Sequence, residues 1–271
     1  MDLPYFPDHH TAVWLDRTDA RLCAEILRRC GNARPAVLEV GVFRGAWSAT
    51  MAMNVPTATV LGIDPYPNTP VLQDAKREAD ALLTSLGLLG RVRVVPDWAT
   101  ALSLPDRPER FDLVHVDGFH AEAETETDLR HAAEVMSDNG VIAVDDYCTP
   151  QFPGTASAVY RSLEPLRLRA FLATPNKMFL CRPEAHGGWL SSMSAYLSAA
   201  GLQRWSPLET TSYGSLEGVS LVPSVLGSEV VVCVGEAPSA PAPVSAARRL
   251  MRDWAPPALR RAVWHLRRRI R

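Results

Sequence analysis

The 271-residue chain lacks several patterns that identify common protein classes. Its five cysteines are scattered, odd in number and without a C-x-x-C pair, which argues for reduced thiols and against a zinc site. Neither the G-x-G-x-x-G dinucleotide fingerprint nor the G-x-x-x-x-G-K-[ST] phosphate loop occurs, so a pyrophosphate or triphosphate ligand is disfavoured. No apolar stretch is long enough to span a membrane, and the first residues do not begin a signal peptide. We therefore expect a cytoplasmic protein.

The hydrophobic pattern predicts one α/β domain over residues 1–183. Hydrophobic residues make up 47% of the chain, enough for one large core, and helical patterns alternate with short apolar runs. This alternation predicts a doubly wound, mostly parallel, Rossmann-like sheet of seven strands that closes with an antiparallel hairpin through Pro175-Asn176. Residues 184–236 form a C-terminal extension of unassigned role, with a predicted helix over 189–200 and predicted strands over 219–222 and 230–234.

The C-terminal end differs from the rest in composition. Residues 237–247 read as an Ala/Pro linker and residues 248–271 as an Arg-rich tail. From Val244 onward there are nine Arg and one Asp, a net charge of +8, so with −2 for the whole chain the preceding residues carry −10. Apolar residues repeat at helical spacing in the tail, which suits either an amphipathic helix on an anionic membrane or docking on the acidic body or a partner subunit.

A strand, a glycine turn and a helix start are predicted near residue 40, in the pattern Glu39-x-Gly41-x-x-x-Gly45. The two glycines allow the backbone to approach a ligand closely. Asp64 ends the next strand and is placed to accept hydrogen bonds from a ribose diol. After the third strand, Asp97 and Trp98 could meet the edge and face of an adenine.

Acidic residues end two more predicted strands. Asp117 follows one strand, with His120 shortly after it, and Asp145-Asp146 follow the next. Since ligands bind outside the carboxyl ends of parallel strands, these side chains are expected to converge on one site. Three carboxylates held together favour a hard cation such as Mg²⁺, Ca²⁺ or Mn²⁺. The alternative is that these Asp residues cap local turns.

These motifs, in this order, resemble a class I S-adenosylmethionine (SAM)-dependent methyltransferase. Over residues 36–182 the chain is more narrowly similar to the metal-dependent sugar O-methyltransferases of the macrocin and mycinamicin type, through His115-Val116-Asp117-Gly118-x-His120 and Val144-Asp145-Asp146-Tyr147. That resemblance implies His120 as general base and a Mg²⁺ or Mn²⁺ ion held by Asp117, Asp145 and Asp146. The residues expected around SAM are Glu39, Gly41, Gly45, Asp64, Asp97, Trp98 and Asp117.

We therefore expect an O-methyltransferase that acts on a hydroxyl of a sugar, a glycosylated natural product or a glycan. A catechol or phenolic O-methyltransferase would use the same acidic metal site and stays open as an alternative. A non-catalytic SAM-binding or nucleic-acid-binding accessory protein is the alternative from another class. The acidic body argues against broad nucleic-acid contact. The expected partners are a small-molecule or glycan acceptor, an anionic membrane at the tail, and a second copy of the chain.

Overall fold

The computed structural model describes residues 3–7, 15–98, 110–204, 224–226 and 228–236. Residues 1–236 form one unit. The second unit, residues 237–271, corresponds to the predicted linker and tail and lies outside the described ranges. Within the described ranges, no helix has the length and hydropathy to cross a membrane.

The described chain is an α/β protein built on a nine-stranded sheet with the order β3-β2-β1-β4-β5-β7-β6-β11-β8. In the order of the chain, the strands of this sheet are β1 (Ala36–Val40), β2 (Thr59–Ile63), β3 (Val92–Val95), β4 (Phe111–Val116), β5 (Met136–Val144), β6 (Arg169–Ala173), β7 (Met178–Cys181), β8 (Leu202–Arg204) and β11 (Val231–Glu236). Two short strands, β9 (Ser224–Val225) and β10 (Ser228–Glu229), pair with each other.

Six helices occur in the described residues: α1 (Arg17–Arg29), α2 (Ala46–Asn54), α3 (Pro70–Ser85), α4 (Glu122–Val135), α5 (Pro153–Leu163) and α6 (Pro183–Ala199). Successive strand residues point to opposite faces, so Val37 and Leu38 belong to two different apolar clusters. The cluster around Val37 contains residues of α1, α2 and α6, whereas the cluster around Leu38 contains residues of α4 and α5. Helices therefore cover both faces, as in a doubly wound fold.

The predicted fold is confirmed, with a larger sheet than expected. Strands β1 to β5 pair in parallel, and β7 runs antiparallel to both β5 and β6, as predicted for the closing hairpin. Strand β11 then pairs in parallel with β6, and β8 pairs antiparallel with β11, which makes nine strands instead of seven. The free edge of β6 offers unpaired backbone groups that β11 satisfies, and β8 covers the edge of β11 in turn.

The segment after residue 183 is therefore part of the same sheet, beyond the boundary predicted from the sequence. The predicted helix over 189–200 is the later part of α6, and the predicted strand over 230–234 corresponds to β11. The predicted strand over 219–222 lies outside the described residues. Parallel pairing of β1, β2, β4 and β5 brings their carboxyl ends to one edge of the sheet, where the predicted site residues lie.

Candidate active site

The turn after β1 requires glycine at position 41. Gly41 has φ +85°, and a Cβ atom added there would lie 1.9 Å from the carbonyl oxygen of Asp117. The end of β1 thus packs directly against the end of β4, and no side chain fits between them. Gly45 also has a positive φ, +74°, and occupies the N-cap position of α2.

Asp64 fastens this turn through its carboxylate. Oδ2 accepts hydrogen bonds from the backbone N–H groups of Val42 (3.0 Å) and Phe43 (2.9 Å), and Oδ1 accepts one from Tyr66 (2.9 Å). A carboxylate offers about four acceptor positions. Three are used inside the protein, so the predicted contact with a ribose diol would use what remains. Sequence reasoning did not foresee that Asp64 organises the glycine turn.

Glu39 lies in the core, with 1% of its surface exposed. Its carboxyl group is hydrogen bonded to the Ser48 hydroxyl and lies 3.8 Å from Nδ1 of His115. Burial raises the pKa of Glu39 to about 8, so the buried carboxyl holds its proton at neutral pH. Its role as a cofactor residue stays a prediction. Its hydrogen bond with Ser48 links β1 to α2, the two elements that the glycine turn connects.

Asp97 and Trp98 are exposed just beyond β3. Oδ1 of Asp97 accepts a hydrogen bond from the backbone N–H of Trp98 (2.7 Å), and the Trp98 side chain is 56% exposed. Both side chains are therefore accessible to a ligand at this edge, as the adenine hypothesis requires. The residues that follow, 99–109, lie outside the described ranges.

The carboxyl groups of Asp117 and Asp145 meet where β4 and β5 end. They share a hydrogen bond, and burial together with the charge of Asp145 raises the pKa of Asp117 well above its ordinary value. Oδ1 of Asp145 accepts hydrogen bonds from Nδ2 of Asn176 (2.6 Å) and from Nζ of Lys177. Burial opposes the ionisation of Asp145, but Lys177, His115 and the hydrogen bonds to the carboxylate together lower the pKa of Asp145 to about 2. The meeting of Asp117 and Asp145 agrees with the expected convergence at the strand ends, whereas Asn176 and Lys177 were not predicted there.

His120 bridges the loops that follow β4 and β5. Its Nε2 atom lies 3.5 Å from Oδ1 of Asp117 and 3.5 Å from Oδ2 of Asp146. The imidazole packs on Phe152 with a ring-centroid distance of 4.6 Å. Burial lowers the pKa of His120, and this effect exceeds the opposing effect of Asp146. A neutral imidazole between two carboxylates can accept a proton and stabilise the resulting charge.

Comparison with known proteins finds a similarity for this part of the chain. Residues 38–147, from β1 to Tyr147, match the protein family described as "methyltransferase domain". This segment is similar to that family. The match contains the glycine turn, Asp64 and the acidic strand ends, and it agrees with the predicted methyltransferase class. The narrower resemblance to macrocin and mycinamicin enzymes goes beyond this match and stays a prediction.

Two solved structures with TM-scores of 0.50 and 0.51 share the fold of this chain at low sequence identity. An O-methyltransferase from Bacillus cereus in complex with S-adenosylhomocysteine (SAH) is 14% identical, with a TM-score of 0.50 over 65% of this chain and 83% of that one. A candidate caffeoyl-CoA O-methyltransferase from Staphylococcus aureus is 14% identical, with a TM-score of 0.51 over 61% and 83%. An O-methyltransferase family protein from Burkholderia thailandensis is 16% identical, with a TM-score of 0.46, and the alignment covers 62% of this chain and 56% of that protein. No curated protein sequence matches the chain significantly.

The residue of this site that sequence reasoning missed is Lys177. It is 2% exposed, and its Nζ atom contacts Asp145 and lies 2.9 Å from Nε2 of His115. Burial opposes its charge, but Asp145 and Asp117 raise its pKa above the ordinary value, so Lys177 is a buried cation. One signal could have found it. Because β7 pairs with β5 and Met178 lies opposite Val144, the residue before β7 falls level with Asp145.

The acidic cluster has the charge and the donor atoms that a divalent cation requires. Asp117, Asp145 and Asp146 carry −3 when ionised, and Lys177 reduces this to −2. Among the described residues, the ligand atoms of His115, Asp117 and Asp145 all lie within 4.8 Å of one another. Nε2 of His115 already faces Lys177, so His115 is poorly placed as a ligand. The predicted ligand set is therefore brought together in part: Asp117 and Asp145 are in contact, and Asp146 is linked to Asp117 through His120.

Proposed function

We propose that this chain transfers the methyl group of SAM to a hydroxyl of a sugar, in a glycan or a glycosylated natural product, with Mg²⁺ or Mn²⁺ as cofactor. The observation that carries the proposal is the position of His120, whose Nε2 lies 3.5 Å from carboxylates on two converging loops. The glycine turn supports SAM as the methyl donor, as does the SAH held by the Bacillus cereus structure of the same fold.

Different residues of the site would accept the proton, stabilise the resulting charge and hold the metal. A sugar hydroxyl is a poor nucleophile until its proton leaves, and Nε2 of His120 would take that proton because the neutral imidazole is the dominant form. Asp117 and Asp146 would then stabilise the imidazolium. Asp117, Asp145 and Asp146 would hold the metal, which when bound supplies Lewis-acid polarisation of the hydroxyl. In-line alignment of the oxygen behind the methyl carbon supplies much of the remaining rate.

Two aromatic rings flank the proposed acceptor position. Phe119 is 70% exposed beside His120, and Phe152 is 37% exposed and packs on the His120 ring. Such rings can bind the apolar face of a sugar or a flat phenolic acceptor. The sugar is preferred because the spacing from Asp117 to His120 and the Asp145-Asp146-Tyr147 sequence resemble the sugar enzymes. A catechol acceptor is the second candidate, since adjacent phenolic oxygens chelate the same metal.

Methyl transfer from isotope-labelled SAM tests the metal and the acidic site. We expect chelator to abolish turnover by the full chain and Mg²⁺ or Mn²⁺ to restore it. Asp117→Asn should lose turnover while SAM affinity, measured by calorimetry, changes much less. Asp138→Asn is the matched control, because Asp138 is an exposed Asp at the start of β5, away from the site. Turnover that resists the chelator would eliminate the metal from the proposal.

Acceptor class is tested by the same assay with two panels of acceptors. One panel contains nucleotide-linked sugars and glycosides, and the other contains catechols and monophenols. Methylation confined to the sugar panel supports the proposal, whereas methylation of catechols alone would replace it with the second candidate. SAM binding without transfer to any acceptor, in the presence of metal, would favour the non-catalytic alternative.

A further inference from the structure

We propose that Lys177 is a built-in cation of the acidic site, which positions Asp145 and keeps the carboxylate cluster folded before a metal binds. The inference rests on the proposed metal site, and it concerns the state of the protein without the metal. Lys177 acts through Asp145 and is therefore a positioning residue.

The contacts of Lys177 are internal and specific. Its side chain is almost completely buried, its ammonium donates to Oδ1 of Asp145, and it lies 2.9 Å from Nε2 of His115. His115 is itself held by the Trp47 indole, whose ring stacks on the imidazole with centroids 4.1 Å apart and an interplanar angle of 5°. The ammonium is thus fixed between a carboxylate and an imidazole that cannot easily turn away.

The backbone around Lys177 is fixed as well. Oγ1 of Thr174 accepts hydrogen bonds from the backbone N–H groups of Asn176 (3.3 Å) and Lys177 (2.8 Å), and the N–H of Thr174 donates to the Lys177 carbonyl (2.9 Å). Nδ2 of Asn176 donates to the same oxygen of Asp145 that Lys177 contacts. The β6–β7 turn therefore delivers two donors to Oδ1 of Asp145.

The charge of the site explains why a lysine is needed. Without Lys177, the buried carboxylate of Asp145 would lie against Asp117 with no cation in contact, which is costly in a buried place. When all three carboxylates are ionised, Lys177 leaves a net charge of −2, which matches one divalent ion. A protein without Lys177 should depend on the metal for its fold much more than the wild type does, since binding of an ion to the native state alone stabilises that state.

Thermal unfolding of the full chain without SAM tests this inference, in chelator and over a titration of Mn²⁺. Lys177→Met preserves length and removes the charge. Lys76→Met is the matched control, because Lys76 pairs with Asp80 on the exposed surface of α3. We expect Lys177→Met to lower Tm in chelator by at least several degrees and to raise the Mn²⁺-induced shift in Tm at least twofold over wild type. Lys76→Met should change neither quantity appreciably.

A double variant guards against an uninformative loss of folding. In Lys177→Met/Asp145→Asn the unpaired buried carboxylate is removed, so Tm in chelator should recover towards the wild-type value and the enhanced response to Mn²⁺ should disappear. An unchanged Tm of Lys177→Met in chelator, an unchanged Mn²⁺ response, or a double variant no more stable than the single one would overturn the inference. If wild type shows no Mn²⁺ response and its turnover resists chelator, the proposed metal fails, while recovery by Asp145→Asn still tests the role of Lys177 in positioning.

Discussion

Two residues of the candidate site have backbone conformations that most side chains avoid. His120 has φ +54° and Asp146 has φ +52°. His and Asp are among the non-glycine residues most often found in this region, yet each such residue still costs free energy. Both conformations aim side chains at the same point, where Nε2 of His120 lies 3.5 Å from Oδ2 of Asp146. The strain is thus located where geometry matters for the proposed proton transfer.

His120→Ala should lower turnover by about 10²- to 10⁴-fold, the usual effect of removing a general base, while SAM and metal affinities persist. Because burial lowers the pKa of His120, the wild-type rate should be flat near pH 7 and fall on acidification only below the ordinary value of about 6.5. Steady-state rates against pH check both effects. His186→Ala on α6 is the control and should keep the wild-type profile. If the His120→Ala variant stays active and its rate falls on acidification as in wild type, another group is the general base.

Glu39→Gln should flatten the dependence of stability on pH. The native state raises the pKa of Glu39 from 4.5 to about 8, so between these values the folded protein holds a proton that the unfolded chain releases. Stability then falls as pH rises through this window, by up to about 1.4 kcal/mol per pH unit for one group. In urea unfolding at pH 5 and pH 8, the free energy of unfolding of the variant should rise relative to that of wild type as pH increases. A difference independent of pH would show that Glu39 is ionised in the native state.

At the scale of elements, the close approach of β1 and β4 depends on Gly41. Gly41→Ala would place Cβ 1.9 Å from the Asp117 carbonyl, whereas Gly31 has the same φ, +85°, with no atom within 4 Å of an added Cβ. Gly31→Ala should therefore cost only the backbone strain, about 1–2 kcal/mol. Gly41→Ala should lower the free energy of unfolding in urea by more than this. It should also abolish or greatly weaken SAM binding, measured by calorimetry. Equal losses of stability for the two variants, with SAM affinity retained, would show that the turn tolerates a side chain.

The sequence predicts the elements better than the contacts between them. The strand order of a doubly wound sheet places the ends of β4 and β5 side by side, which is why Asp117 and Asp145 could be assigned to one site. Lys177 required a further step, because its position depends on β7 lying antiparallel beside β5. The backbone bonds of Asp64 depend on the shape of the turn, which no residue pattern specifies. Strand β8 has only three residues, too few to give a periodic signal.

At the scale of the whole molecule, charge is segregated along the chain. Residues 244–271 carry +8, and the residues before them carry −10. Such an arrangement favours either an anionic partner for the tail or neutralisation by the acidic body or by another subunit. In the tail sequence, Leu259, Val263, Leu266 and Ile270 recur at helical spacing among arginines, which suits a helix on an anionic membrane surface.

The membrane hypothesis predicts that the tail carries the protein to anionic vesicles. Each basic residue near such a surface contributes about 1 kcal/mol, and salt screens the attraction. In co-sedimentation, the full chain should pellet with phosphatidylserine-containing vesicles at low salt and return to the supernatant at high salt. The chain truncated after Glu236 should stay in the supernatant, as should a variant with Arg260, Arg261, Arg267 and Arg268 changed to Gln. If the full chain also stays in the supernatant at low salt, the tail serves folding or assembly instead.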